Sequence, residues 1–411
     1  MKQVTKSVRL NQIKMQRVLV LTGVLSLFLI YVVLWGKMIA SPSERTGTDF
    51  MAFYAAGRVA QESGIAHTYD ISLQQGIQEA EVGFELHEEQ ILPYLHMPYL
   101  IPLLQILVTQ SYVISFVRWI LLMFGVLVFG MYALMRWFPD GIQATEKYLF
   151  LAGAVTFFPA FVSLLLGQDT ALLFTGIALI GWGISCKKYW LAGVGLALTT
   201  IRPHFVILFA LPFLFSRRKV FRWFLIFVGS LAIISFSILG IQGTKDFIDI
   251  LMISASGEGY GTNEASMYNL IGLFSRWLPF LGPATIRMIG WLVYITAILV
   301  IFIWSARTRN IENRDLSWIA LVCILTVPHF HYHDLTILLF PLLTVGLEKR
   351  RLMLPHWIQF ILQPLAISFV MLIGFFGRSI QYIIPYAIVA GLAILLWHKR
   401  QLVPQNSIIS H

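Results

Sequence analysis

The sequence predicts an all-α polytopic membrane protein with about twelve spans, flanked on one side by helices lying along the bilayer surface. Three observations predict it. Only 12% of its 411 residues are charged, where a soluble domain carries roughly 25%. Apolar runs recur from end to end, giving a mean hydropathy of +0.76 and the lengths that a hydrocarbon core of about 30 Å demands. Lys and Arg cluster between alternate runs, the asymmetry that orients a membrane chain.

The first run, Val18 to Ala40, follows Lys2, Lys6, Arg9, Lys14 and Arg17. It is longer than the roughly 7–15-residue core of a cleaved signal peptide, so it reads as a retained span with its basic flank on the cytoplasmic side. Further spans are expected at 112–136, 147–166, 169–186, 189–201, 203–216, 219–241, 283–305, 315–328, 334–347, 357–376 and 380–397. This threading puts Lys187-Lys188, Arg217-Arg218-Lys219, Arg307, Arg309, Arg314, Lys349-Arg350-Arg351 and Lys399-Arg400 inside. The net charge of +10 therefore reflects topology and calls for no nucleic-acid partner. Cys186 and Cys323 stand near span ends and support neither a disulfide framework nor a metal cluster.

The chain divides into a cytoplasmic N-terminus (1–17), a transmembrane core (18–345) with outer loops at 41–111 and 242–282, C-terminal transmembrane helices (346–397) and a cytoplasmic tail (398–411). The apolar stretch after Pro98, Tyr99 to Thr109, reads as a helix in the outer interface, because counting it as a span would carry Lys187-Lys188 outside. Spans 189–201 and 203–216 are short, about 20 Å each at 1.5 Å per residue. They meet at Arg202-Pro203. A backbone turn at membrane depth is tolerated only inside protein or beside water, so this junction predicts a wet cavity open to the outside. Helices are expected outside at Asp49–Gln61 and Ser72–Glu89, with a loose stretch at Ser254–Asn263. The inner loops are short and carry no Walker or glycine fingerprint, which excludes soluble nucleotide chemistry there. No internal repeat is evident, against the repeat-built transporter folds.

The polar residues crowd the outer side. Asp49 follows the first span, where an acid marks function or caps the helix after it. Tyr54 and Arg58 follow; Arg58 is a phosphate candidate or a partner for the loop's acids. Glu79, Glu81, Glu85, Glu88 and Glu89 read as a solvated face. His96 precedes Pro98, and Gln168-Asp169 follows the third span, where Asp169 either touches ligand or caps the next helix. Arg202 suits a phosphate because its planar fork binds two oxygens at once, and His204 sits beside it. His329, His331, Tyr332, His333 and Asp334 form the densest cluster; contact with sugar or phosphate is expected there ahead of metal binding.

These stretches together resemble the polytopic GT-C glycosyltransferases, and most closely glycosyltransferase family 87, the polyprenyl-phosphate-mannose-dependent mannosyltransferase-like proteins (DUF2029). The resemblance rests on Asp49-Phe-Met-Ala-Phe-Tyr-Ala-Ala-Gly-Arg58 with Tyr69-Asp70, Pro98-Tyr-Leu-Ile-Pro-Leu-Leu104, Gly167-Gln168-Asp169, Ala192-Gly193 with Ile201-Arg202-Pro203, and His329 to Asp334. It spans roughly residues 40–345. His96-Met97-Pro98 stands where the family pairs prolines, and Arg202 where it usually has Lys.

The resemblance implies a GT-C-like fold and an inverting hexosyltransferase without cofactor. Its donor is a polyprenyl-phosphate sugar, mannose by default, and its acceptor a lipid or glycan hydroxyl. By position Asp49 is the base. Arg202, Arg58 and His204 are expected at the donor phosphate, and Tyr54, His96, Gln168, Asp169, His329, His331, Tyr332 and His333 at the sugars. Location in a bacterial inner membrane, with the site facing the periplasm, follows from the same resemblance. A transporter or flippase of a lipid-linked sugar is the rival reading.

Overall fold

The computed structural model describes residues 2–41, 48–138, 142, 144–256, 260, 263–308, 310–348, 359, 361–377 and 380–402. Arg309, Lys349, Arg350 and Arg351, parts of the 254–263 and 357–376 stretches, and tail residues 403–411 lie outside the described residues. Among those described, every regular element is helical.

Six helices are long and apolar enough to cross a membrane by length and composition: Val18–Ala40, Tyr112–Met135, Ala144–Leu166, Arg218–Ala255, Pro283–Arg307 and Ile380–Trp397. Shorter apolar helices occupy Thr170–Ser185, Tyr189–Ile201, Pro203–Phe215, Tyr332–Leu347 and Pro364–Phe376. The stretch expected at 315–328 is the 14-residue helix Asn313–Thr326. Leu21, Leu25, Phe28 and Val33 on the first helix, and Leu121 and Phe124 on the second span, point outward and exposed. An apolar exterior is what lipid contact requires.

Close packing of small residues fixes the centre. Helices α8 (Thr170–Ser185) and α9 (Tyr189–Leu198) form a hairpin. Gly176 and Gly195 face each other so closely that a Cβ on Gly195 would lie 2.5 Å from the Gly176 carbonyl oxygen. Without a hydrophobic drive between helices in lipid, such approaches supply the van der Waals contact that holds them. On the other side of α8, a Cβ on Gly130 would meet Thr175 Oγ1 at 2.4 Å, and that hydroxyl donates to the Val126 carbonyl (2.9 Å).

The segments expected on the outer side differ from expectation in three places. The helix expected over Ser72–Glu89 is α3 (Ile71–Val82). Gly83, at φ 81°, stops it in a left-handed conformation that glycine adopts without strain. Glu79 is not merely solvated; its carboxylate accepts from Gln75 and from the Leu86 amide. The helix Arg218–Ser256 continues past the expected span end. It breaks at Gly240 (φ 65°, ψ −168°), and its C-terminal half lies on Ala66, whose carbonyl oxygen is 2.5 Å from where a Gly243 Cβ would stand. After Pro98, a single 3-10 turn leads into Ile101–Leu107, only 7 residues long. That stretch packs on α2 (Phe50–Glu62), where Gln61 donates to the Gln105 and Val108 carbonyls.

Candidate functional site

His96 is placed by a backbone clamp. Segment 91–96 is extended and cannot satisfy its own amides and carbonyls. Two fully buried glutamines of α3 do so instead. Gln78 donates to the Leu92 carbonyl (2.8 Å) and accepts from the Leu92 amide (3.1 Å), and Gln74 accepts from the Tyr94 amide (2.8 Å). Tyr69 donates to the His96 carbonyl (2.6 Å), and the Phe53 ring lies 4.3 Å from the imidazole.

Asp169 is fully buried. Gly167 ends the preceding helix at φ 73°, Gln168 N donates back to the Ser163 carbonyl, and the chain turns into α8. Asp169 occupies the cap position of α8, yet its side chain caps nothing. Its Oδ2 meets His96 Nδ1 at 2.7 Å and its Oδ1 meets Arg202 Nη2 at 3.1 Å. The latter is charge attraction rather than a directed bond, since Oδ1 accepts no hydrogen bond of good geometry. The cap alternative for Asp169 is thereby corrected: two tertiary partners outcompete the helix amides.

Arg202 sits where α9, extended by a 3-10 turn at Thr199–Ile201, gives way to α10 (Pro203–Phe215). Pro203 disfavours helical geometry in the residue before it, and Arg202 has φ −122°, ψ 88°. Its Nη2 donates to Gln168 Oε1 (2.8 Å) and its Nε lies 4.0 Å from Asp334 Oδ1. Nη1 is 3.4 Å from His96 Nδ1. Asp334 accepts from the His331 amide (3.0 Å) and lies 3.6 Å from His333 Nε2. Thr170 Oγ1 is 3.4 Å away.

The remaining imidazoles pair beside this network. His331 and His333 stack with centroids 5.7 Å apart, and His204 lies 6.2 Å from His329. Nε2 of His204 is buried with no hydrogen bond among the described residues. Burial, and then the neighbouring Arg202, push His329 below the ordinary imidazole range; burial, and then His333, do the same to His331. Asp49 starts α2 without capping it and is half-buried. It is near enough for its charge to act on both Arg202 and His331.

Three candidates are not brought to this group. Arg58 points along its own helix to Glu62 and Tyr54, because an acid one turn away pairs with it. Tyr54 donates to the Gln110 carbonyl (3.0 Å). Tyr332 packs on Phe158, Tyr268 and Phe375, with its hydroxyl donating to the Met371 carbonyl (3.2 Å). Conversely, Asn269 belongs to the arrangement although no local pattern in the sequence marks it. Its amide donates to the Val327 and Pro328 carbonyls (2.6 Å each), and Tyr268 N donates to the Phe330 carbonyl (2.8 Å). Tyr386 of the last helix, Ile380–Leu402, donates to the Asn269 carbonyl (2.9 Å). This strap shapes the histidine loop.

Two carboxylates, Asp169 and Asp334, thus flank one guanidinium beside the imidazoles of the histidine loop, with Asp49 near enough for its charge to act on it. Among the described residues, no three His, Cys, Asp or Glu side chains are placed to hold one metal ion. The arrangement offers hydrogen-bond donors and acceptors in alternation, suited to a polyhydroxylated ligand, with a single cation for an anionic group. The model of glycosyltransferase family 87 matches residues 94–328, more than half of the chain. The match takes in His96, Asp169, Arg202 and Asn269, and stops just before His329. No curated protein and no solved structure matches.

Proposed function

Since the chain belongs to glycosyltransferase family 87 and is an integral membrane glycosyltransferase, we propose that it moves a hexose, mannose or a near relative, from a polyprenyl-phosphate donor to a hydroxyl of a lipid or glycan. The reaction runs at the outer face of a bacterial inner membrane and inverts the anomeric centre. One observation carries the reading: Asp49 stands within electrostatic reach of Arg202 and His331, beside a buried network that joins His96, Gln168, Asp169 and Asp334 to the same guanidinium.

In this reading Asp49 takes the acceptor's proton as its oxygen attacks the anomeric carbon. A carboxylate is far too weak a base to ionise an alcohol beforehand, so the transfer belongs to the transition state, worth about 10²–10⁴ in rate. The leaving phosphate is a weak base and needs charge stabilisation more than a proton. Arg202 supplies it through Nη1, the end of its fork not held by Gln168 or Asp169. Neutral His329 and His331 add N–H donors without adding charge. Arg58 has no part, being committed to Glu62.

The test is transfer of labelled hexose from a polyprenyl-phosphate donor into membrane lipid extract by the purified protein. Asp49→Asn should abolish transfer while the protein still binds donor. Full transfer by that variant rejects the assignment, and donor movement across vesicles without transfer establishes the transporter instead.

A further inference from the structure

The proposed reading needs Asp49 at a fixed distance from the Arg202 network, and the contacts of the carboxylate itself do not fix it. Among the described residues the Asp49 carboxylate makes no hydrogen bond or ion pair, and it caps nothing. Its place is set by the backbone at the start of α2. Three rings of one helix hold that start. Tyr112, Phe116 and Trp119 stand at i, i+4 and i+7 on the span Tyr112–Met135, a spacing that puts them on one face. All three surround Phe50, the fully buried residue after Asp49, with ring centroids 5.4, 5.4 and 6.4 Å away. The Tyr112 hydroxyl meets Oγ1 of Thr48, the residue before Asp49, at 2.6 Å. Asp49 is therefore flanked on both sides by residues held to the same helix face.

Trp119 extends this hold to the other half of the site. Its indole Nε1 donates to the Gly167 carbonyl at 2.8 Å, in the turn that delivers Gln168 and Asp169 to Arg202. A Cβ on Gly167 would lie 2.5 Å from Phe50 Cβ, so the turn and the start of α2 touch directly. The same indole lies 4.9 Å from the Phe53 ring, which rests on the His96 imidazole. Trp119 has no exposed surface. In membrane proteins tryptophan concentrates at the water boundary, where its N–H is easily satisfied. Burying one inside the protein costs free energy unless that hydrogen bond is made. A ring kept only for bulk needs no acceptor, and phenylalanine would serve.

We propose that Trp119 is a positioning residue for sugar transfer: its N–H on Gly167 and its ring on Phe50 set the separation between the Asp49 carboxylate and the Arg202 network. This inference rests on the glycosyltransferase reading and adds the element that keeps the base in register with the phosphate clamp. The consequence is kinetic. Arg202 and Asp169 keep their contacts with His96, Gln168 and Asp334 when Trp119 is altered. Asp49, which acts only in the transition state, has no such ties. Slack at Trp119 therefore lowers turnover and leaves donor binding alone.

Transfer from labelled polyprenyl-phosphate mannose into membrane lipid extract, by the full-length detergent-purified protein, tests it. Turnover is expressed per donor-binding site, so unfolded protein does not count. Trp119→Phe should lower turnover about 10- to 100-fold, the cost of misplacing a catalytic group by up to about 1 Å, with donor Kd within about twofold of wild type. Should that variant fold poorly, 3-benzothienylalanine at position 119 decides, since it keeps the ring shape and replaces the N–H by sulfur. It should give the lower end of that loss, again at unchanged Kd. A merely structural Trp119 would change yield or melting temperature while turnover per site stays at the wild-type value with the isostere, and that result overturns the proposal. A Kd that weakens in step with turnover overturns it too. If the wild type transfers no label, the functional reading falls and this one with it; transfer indifferent to position 119 sinks this inference alone.

Discussion

The Asp169–Arg202 pair invites a quantitative test. At an effective dielectric of about 20, charges at this 3.1 Å separation attract by about 5 kcal/mol. Desolvation offsets much of that, so the pair's net worth is small, yet removing one member alone costs about 3–5 kcal/mol by stranding the other. Arg202→Gln strands two carboxylates, Asp169 and Asp334, the second only 4.0 Å from the guanidinium. Asp169→Asn strands Arg202 less completely, since Asp334 and the Gln168 bond remain. The expected losses are about 4 kcal/mol for Arg202→Gln and about 3 kcal/mol for Asp169→Asn. The double variant should cost no more than Arg202→Gln alone, giving a coupling of about 3 kcal/mol. Steric-trap unfolding in bicelles measures all four corners of the cycle. Additive losses would mean that the two charges do not stabilise one another, and the network described here would lose its centre.

Two further outcomes are expected. Because burial lowers the imidazole pKa values of His329 and His331 below the roughly 6.5 of an unfolded chain, the unfolded state binds more protons as the pH falls through that value. Stability is thus complete at neutral pH and declines below about 6.5; melting curves between pH 7.5 and 5 should show the decline, and His331→Asn should flatten it. Equal slopes for the two proteins would refute that origin. Gln78→Ala leaves the Leu92 amide and carbonyl without partners, a loss of about 1–3 kcal/mol, and should lower sugar transfer by displacing His96. Unchanged melting and transfer would show that segment 91–96 holds itself.

Much of this was legible in the sequence. Charge asymmetry and run length identify the long spans, and two short apolar runs meeting at Arg202-Pro203 mark the buried junction that the network occupies. What stayed hidden depends on partners remote in the chain. An Asp ahead of a helix reads as a cap, and nothing in Gly167-Gln168-Asp169 reveals that its carboxylate turns to residues 96 and 202. Gln74 and Gln78 lie on an otherwise polar helix, so their full burial has no local signature. Arg58 reads either as a phosphate ligand or as a partner for the loop's acids, and the structure settles on the acid at i+4, Glu62. Gly83 is a stop signal masked by the acids beyond it, which continue a helical pattern.

The strap at Asn269 carries a mechanical implication for the end of the chain. Its side chain grips the carbonyls of residues 327 and 328, while its own carbonyl is gripped by Tyr386 from the last helix. Arg276, lying 3.8 Å above the Tyr382 ring and donating to the Tyr386 hydroxyl, doubles that tether. The final helix lies well beyond the stretch that defines the family, yet it is harnessed to the histidine loop in two steps. Removing that final helix alone would cut the guy-rope that tensions the loop, leaving a chain with every named side chain of the network and no fixed place for the imidazoles.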